Sequence, residues 1–314
     1  MAIDPTDAPT RAGSDLTGPH RLSQRSAVTR MAAGAMLLST TSIFVVLAQT
    51  APTVSAFYRM LFGGVMLLTW IALRGQWQRI GWRDVWLASV PALGFSADLI
   101  QWHRSILWVG PGVATLLTNF QVFLLALVGL VFYREKLGRW FVPGMLVALV
   151  GLWLLVGAHW SLFDEQHRLG VWLGLGSGLA YTVYLLSFRH ALSGHSRLSA
   201  AQFLGLMSVL SALLLGLWGW GEGDAFLVQG VRSWSALIAL GFFGQVLAWL
   251  LMVRAMPQLP ASLVGLLLLL QPALAFVLDV LLFHRPTVMG DWIGLMLALA
   301  GILLGALRPN RRAE

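Results

Sequence analysis

A short polar stretch, GFSADLIQWHRS (residues 94–105), lies inside an otherwise apolar part of the chain. It contains a carboxylate at Asp98, an amide at Gln101 and an imidazole at His103. A buried carboxylate can bind a cation or take up a proton, and an imidazole exchanges protons in the physiological range. These residue types predict proton transfer or the binding of a small charged molecule. The alternative is packing alone, with Asp98 paired to Arg59 or to a hydroxyl group.

Helical spacing predicts which of these side chains act together. Asp98, Gln101 and Trp102 stand at positions i, i+3 and i+4, which share one face of an α-helix. Within a membrane, an ionisable side chain faces protein or water, because exposing it at the centre of the bilayer costs at least ~2.5 kcal/mol. If this helix crosses a membrane, the acid, the amide and the indole therefore point into the helical bundle.

Other polar and aromatic side chains in apolar segments are candidates for the same site. For each of them the alternative is helix packing, because hydroxyls and amides commonly join neighbouring helices in membranes. Asp279, near the end of its apolar segment, is predicted to have a structural partner, and Arg104 to extend towards the membrane surface. The candidate binding residues are Arg59, Asp98, Gln101, Trp102, His103, Thr118, Asn119, Gln121, Tyr181, Tyr184, Gln245, Trp249 and Gln271.

Sequence patterns of enzymatic chemistry were not found. The chain has no cysteine, which excludes thiolate-ligated metal sites, and it has no His-x-x-x-His spacing for zinc. No glycine-rich phosphate loop follows a strand, because no strand is evident. We therefore predict no catalytic residue, no metal site and no cofactor. A membrane enzyme or a small-molecule sensor without a recognisable motif remains the alternative.

The composition identifies the environment of these residues. Of the 314 residues, 58% are hydrophobic and 11% are charged, whereas soluble domains have about 25% charged residues. A soluble fold cannot bury so much apolar surface, so we predict an integral membrane protein in contact with a lipid bilayer. The net charge of +8 does not indicate nucleic-acid binding, because no long basic stretch is interleaved with aromatic residues.

The chain contains ten apolar segments of about 20 residues, the length that crosses a bilayer as a helix. We predict an all-α membrane protein with a disordered tail at 1–28, a five-helix unit at 31–158, a second at 169–307 and a tail at 308–314. The predicted spans are 31–49, 54–73, 85–107, 112–133, 140–158, 169–190, 198–219, 233–255, 260–283 and 288–307.

The basic residues predict the orientation. Loops on one side of the ten predicted spans carry most of the arginines, whereas loops on the other side carry only Arg104, Arg168, Arg232 and Arg285. Positive charge accumulates in cytoplasmic loops. We therefore predict a multi-pass protein of the inner (plasma) membrane with both termini in the cytoplasm. Loops 74–84, 134–139 and 191–197 would lie inside, and loops 159–168 and 220–232 outside.

The two five-helix units are related by an internal repeat with an offset of 150 residues. Five is an odd number of spans, so the second unit must be inverted in the membrane relative to the first. Inverted repeats are typical of transporters, with the site near the middle of the membrane. We predict that the repeat glycines Gly144, Gly151, Gly294 and Gly301 allow close helix packing within each half. The matched pairs include Gly94/Gly244, Arg104/Arg254, Gln121/Gln271, Gly144/Gly294 and Gly151/Gly301.

Several segments resemble the EamA-type members of the drug/metabolite transporter superfamily. They are LGFFGQVLAWLLMVRAMPQLPASLVGLLLLLQPALAFVLDVLL (240–282), its counterpart at 103–137, SAFYRMLFGG (55–64) and LGSGLAYTVYLLSFRHAL (175–192). The resemblance implies a ten-helix carrier with a central cavity, usually an exporter that works by alternating access. It implies a small-molecule substrate, such as an amino acid, an amino-acid-derived metallophore or an amphipathic drug. A titratable carboxylate at Asp98 could couple its export to protons.

The sequence departs from the family pattern at two positions. Glu135 keeps the glutamate that usually follows the fourth span, but Arg285 stands at the aligned position of the second half. Gln271 stands where many relatives have a glutamate, which removes one candidate proton carrier. The resemblance therefore leaves Asp98 as the principal candidate for coupling.

Overall fold

The regular elements of the computed structural model are all helical in the part of the chain that it describes, residues 19–133, 138–255, 258–259, 264 and 267–306. A 3₁₀ helix at Gly157–Leu162 and a π-helical turn at Ala191–His195 flank α7, and a π-helical segment, Leu240–Leu247, joins α9 to α10. The α-helices are α1 (Pro19–Ala48), α2 (Pro52–Leu73), α3 (Trp82–Val109), α4 (Pro111–Asn119), α5 (Gln121–Tyr133), α6 (Phe141–Leu155), α7 (Glu165–His190), α8 (Ala200–Glu222), α9 (Val231–Ala239), α10 (Ala248–Ala255), α11 (Leu270–Phe283) and α12 (Met289–Ala306).

The first helix begins earlier than predicted. Residues 19–28, predicted as part of a disordered tail, form the start of α1. Proline suits the first position of a helix, because its ring fixes φ near the helical value and its missing N–H has no partner there anyway. Residues 1–18 and 308–314 of the predicted tails, Glu135, and residues 260–263 of the ninth predicted span lie outside the described residues.

Seven helical segments in the described part of the chain are long and apolar enough to cross a membrane. The 28-residue α3 is longer than the predicted span 85–107, but its polar residues keep it out of that set. Helices α11 and α12 are apolar but shorter. The chain is thus an all-helical, multi-pass membrane protein, and ten crossings stay a prediction. The seven segments are Arg25–Ala48, Pro52–Leu73, Pro111–Phe132, Phe141–Leu162, Glu165–His195, Ala200–Glu222 and Val231–Met252.

The predicted fourth span is divided into α4 and α5 at Phe120. The Thr118 hydroxyl donates to the Ala114 carbonyl at 3.1 Å, and the Asn119 amide donates to the Thr115 carbonyl at 2.8 Å. Side chains that bond to these carbonyls compete with the regular backbone bonds of a helix. The Phe120 N–H accordingly bonds to Leu117, three residues back, and the helix breaks there.

Close helix packing joins the two halves of the chain. A side chain at Gly151 would collide with the backbone of Ala298, and one at Gly301 would collide with the backbone of Ala148. The prediction that the repeat glycines are close-packing positions is therefore correct. The prediction that the packed helices belong to the same half is wrong. The contact connects α6 of the first half to α12 of the second, because both helices present their small residues to each other.

The remaining helices surround the centre of the molecule. Helix α2 packs on α8, α3 packs on α7 and α8, and α4 packs on α11. Helix α1 contacts α9, the π-helical segment, α10 and α11. Each of these contacts joins a helix of the first half to one of the second, so the central space is enclosed by both halves.

Candidate functional site

A small cavity of about 50 Å³ lies between the two halves of the chain. Helices α6 and α12 contribute no residue to it. The cavity is lined by Leu38, Thr41, Arg59, Phe95, Asp98, Trp102, Thr115, Thr118, Asn119, Gln121, Tyr181, Trp249 and Gln271.

One face of α3 supplies the charged wall. Phe95, Asp98 and Trp102 follow one another at helical spacing and all line the cavity. The Arg59 guanidinium of α2 lies 5.7 Å from the centre of the Phe95 ring and 5.5 Å from that of Trp102. A cation over an aromatic face is attracted by the ring electrons. The two rings therefore hold Arg59 beside the face that carries Asp98.

Arg59 and Asp98 are buried but not joined as an ion pair. Their exposed fractions are 5% and 4%, and the ion pairs in the described part of the chain are Arg104–Glu222 and Arg285–Asp279. The Arg59 Nε and one Asp98 carboxylate oxygen have no hydrogen-bond partner. Buried polar atoms nearly always have partners, and leaving them without one costs free energy. These two groups are thus available to a bound molecule.

Helices α4 and α5 supply a neutral polar wall. The Thr118 hydroxyl lies 2.6 Å from the Ser177 hydroxyl of α7, which fixes this wall against the second half. The Gln121 side-chain oxygen is buried without a partner. Gln271, its counterpart in the predicted repeat, also lines the cavity. The two amides contribute hydrogen-bonding capacity from equivalent positions of the two halves.

Aromatic rings complete the lining. Tyr181 and Trp249 face the cavity, and Tyr184 lies directly behind them. The Tyr184 ring is fully buried and stacks on Phe95, with the ring centres 4.5 Å apart. Its ring also lies 6.3 Å from that of Trp249. Tyr184 therefore supports the wall from behind instead of lining it.

Three other predicted site residues lie outside the lining. Gln101 donates to the carbonyl of Ala97 in its own helix and packs on Gly176 of α7. His103 is fully buried and bonds to the Ser55 hydroxyl at 2.8 Å. Gln245, also fully buried, donates to the Ser208 hydroxyl at 3.0 Å. At 100° per residue, the i+3 position lies about 60° from Asp98 on the helix circumference, which turns Gln101 towards α7.

The sequence reasoning missed four lining residues. They are Leu38, Thr41, Phe95 and Thr115. Leu38 carries no chemical signal in a chain this apolar. Phe95, in contrast, stands three residues before Asp98 and seven before Trp102, so helical spacing alone places it on the same face.

The EamA-like transporter family matches this sequence twice, over residues 26–157 and over residues 168–306. The chain belongs to this family. The EamA-like match covers nearly all of the described helices and every residue that lines the cavity.

The curated relatives described here come from three bacteria. The chain is 31% identical to the chloramphenicol-sensitive protein RarD of Pseudomonas aeruginosa over 68% of each chain. It is 23% identical to the uncharacterized transporter YwfM of Bacillus subtilis over 88% of this chain and 93% of that one. An uncharacterized transporter of Haemophilus influenzae is 25% identical, but the match spans only 52% of its length.

The fold also has a match among solved structures. A crystal structure described only as that of a protein superposes with a TM-score of 0.64 over 90% of this chain and 97% of that one. Sequence identity is 19%, so the likeness concerns the fold alone. The family match and the transporter-named relatives indicate that this EamA-like chain is a multi-pass membrane transporter.

Proposed function

We propose that this transporter exports a small zwitterionic or amphipathic metabolite by alternating access through the central cavity. Amino acids, amino-acid-derived compounds such as metallophores, and amphipathic drugs have this chemistry. The observation that carries the proposal is that Arg59 and Asp98, which are buried and not joined as an ion pair, lie in a cavity otherwise lined by uncharged side chains.

The proposed binding mode follows from the charges. Arg59 would bind a carboxylate of the substrate, and Asp98 would bind an ammonium group. Phe95, Trp102 and Tyr181 would contact the apolar part of the molecule. Arg59 is the only basic residue among the lining residues given above, so a polyanion would lack counter-charges, whereas a zwitterion matches both charges.

Contacts between the halves support the proposed inverted repeat. Shifting the chain by 150 residues places α2 on α8 and α6 on α12, and each of these pairs is in contact. The same shift converts the α3–α7 contact into the contact between α1 and the segment from α9 to α10. A two-fold axis between the halves would produce this pattern, and it suits a carrier that opens alternately to two sides.

Coupling to protons is proposed at Asp98. A carboxylate surrounded by protein in a membrane is a site where charge must be neutralised by a partner or by a proton. Because Asp98 forms no ion pair within the described part of the chain, a proton and a substrate ammonium would compete for it. Proton uptake from one side would then release the substrate, which would link export to the proton gradient.

Binding can be tested with the purified protein and a panel of zwitterionic, anionic and neutral compounds. We expect zwitterions to raise the thermal unfolding temperature of the wild type, because a ligand that binds only the folded state stabilises it. Arg59→Gln should weaken this binding about tenfold or more, since a hydrogen bond to a charged group is lost. The matched control is Arg232→Gln, at an exposed arginine distant from the lining residues. Equal stabilisation by neutral analogues would contradict the proposed charge recognition.

The proposed orientation, with both termini in the cytoplasm, can be tested because the chain contains no cysteine. We expect a single cysteine at Phe163 to react with a membrane-impermeant thiol reagent on intact cells, and a cysteine at Arg79 to react only after the cells are opened. The reason is the accumulation of arginines in loop 74–84 and its equivalents. The reverse labelling pattern would invert the proposed topology.

A further inference from the structure

The corner between α3 and α4 leaves backbone groups without helical partners. Gly110 has a φ of +88° and Pro111 follows it, so α3 ends and α4 begins within two residues. The last carbonyls of α3 and the first amides of α4 cannot bond within their own helices. In a membrane such groups must be satisfied by other parts of the protein.

Side chains of the second half bind one of these carbonyls and one of these amides. Arg285, after the end of α11, donates to the carbonyl of Val109 at 2.7 Å. Asp279 of α11 accepts from the backbone N–H of Gly112 at 3.2 Å. Arg285 and Asp279 also form an ion pair of 3.2 Å with each other. One basic and one acidic side chain thus hold the end of α3 and the start of α4 at the same time.

Gly110 and Gly112 show how closely the corner between α3 and α4 approaches the second half of the chain. A side chain at Gly110 would meet the Arg285 guanidinium and the Asp279 carboxylate, both at 2.7 Å. A side chain at Gly112 would meet the backbone of Phe276 at 2.5 Å. Arg285 additionally lies 5.6 Å from the centre of the Phe276 ring. The corner is therefore held by direct contact, with Asp279 only 4% exposed.

A second ion pair lies at the same end of α3. Arg104 donates to Glu222 at the end of α8 at 2.6 Å and to the Thr53 hydroxyl of α2 at 3.1 Å. This end of α3 is consequently fastened to the second half at two places, by Glu222 and by the pair Asp279–Arg285.

Helix α4 connects this corner to the cavity. Pro111 begins the helix, and Thr115, Thr118 and Asn119 on the same helix line the cavity. A nine-residue helix moves as a rigid rod of about 14 Å. Release of its first turn from α11 would therefore tilt the polar wall of the cavity and open it towards the end at which Arg285 lies.

We infer that Asp279 and Arg285 are positioning residues that latch α4 and close the cavity at this end. Opening and closing of this latch during transport rests on the proposed function. Its restriction of access to the cavity does not depend on that function. In this latch, Arg285 has a structural reason for replacing the glutamate expected from the family pattern. The Val109 carbonyl needs a donor, which a carboxylate cannot provide.

The test measures access to the cavity without any substrate. A single cysteine replaces Asn119, and a membrane-impermeant thiol reagent is added from the side of the membrane at which Arg285 lies. We expect Arg285→Gln to accelerate labelling about tenfold or more, because hydrogen bonds to a charged group are lost. Arg285→Lys retains a charged donor and should label at close to the wild-type rate. Arg232→Gln is the matched control and should leave labelling unchanged.

A second cysteine position separates opening of the cavity from general loosening. Ser208 is fully buried and does not line the cavity, so Ser208→Cys should stay unlabelled in every variant. Labelling at both positions in Arg285→Gln would contradict the latch, as would equal labelling of Asn119→Cys in Arg285→Gln and Arg232→Gln. If Arg285→Gln does not fold, Asp279→Asn replaces it, since the amide oxygen still accepts from Gly112 but the ion pair is lost. Unchanged labelling in Asp279→Asn would then contradict the latch.

Transport is measured separately, on the wild type and on Arg285→Gln without the added cysteines. Faster labelling of Asn119→Cys in Arg285→Gln, together with no transport of any compound in the panel by the wild type, would count against the proposed function and leave the latch supported. Substrate-driven transport with wild-type labelling in Arg285→Gln would overturn the latch and leave the proposed function supported.

Discussion

Asp98→Asn is expected to abolish uphill, pH-driven transport in proteoliposomes. Asparagine keeps the shape of the side chain and its ability to form hydrogen bonds, but it cannot take up or release a proton. The variant also lacks the negative charge proposed to bind the substrate ammonium, so affinity for zwitterions should fall about tenfold or more. The measurement is accumulation of substrate against its gradient, driven by an imposed pH difference.

A carboxylate away from the cavity provides the control for this experiment. Asp291 lies at the start of α12, where it accepts from the Val288 N–H at 3.0 Å. Asp291→Asn keeps an acceptor for this bond and should transport like the wild type. If Asp98→Asn concentrates substrate as well as Asp291→Asn does, Asp98 is a packing residue and the proposed coupling is wrong.

Gly151→Leu is expected to produce the largest loss of folded protein. A side chain at Gly151 would overlap the backbone of Ala298 and approach that of Gly294. Overpacking costs about 1–3 kcal/mol where side chains can adjust, and here the obstacle is backbone, which adjusts less. The measurement is the yield of monodisperse protein in size-exclusion chromatography and its thermal unfolding temperature.

The control for this substitution is another helical glycine. Gly221 of α8 has open space where a side chain would begin, so Gly221→Leu should fold at close to the wild-type yield. The two variants differ in the contact between α6 and α12 and not in the helix propensity of the new residue. Equal yields of Gly151→Leu and Gly221→Leu would show that this contact does not limit folding.

The helical period predicted much of the cavity. Asp98 and Trp102 share a face by spacing alone, and both line the cavity. Repeated glycines predicted close packing, because leucines match by chance in an apolar chain whereas paired glycines do not. A shared helix face depends on residues near one another in the sequence, and the glycine repeat depends on an exact offset. Both can therefore be predicted from the sequence.

Contacts between helices that are distant in the sequence were harder to predict. Gln245 carries the same amide as Gln121, but Ser208 of α8 turns it away from the cavity. Spacing within one helix does not reveal which neighbour lies opposite, so the sequence could not separate the two amides. The partner of Gly151 was assigned to the wrong half for the same reason.

The seam between α6 and α12 has a mechanical consequence. Backbone meets backbone there at Gly144, Gly151 and Gly301, so at these positions no side chain can rearrange while the halves slide past each other. Packed interiors transmit displacement instead of absorbing it. Because neither helix lines the cavity, this seam can serve as a fixed pivot, and small rotations about it would produce the widest displacement at the cavity walls farthest from it.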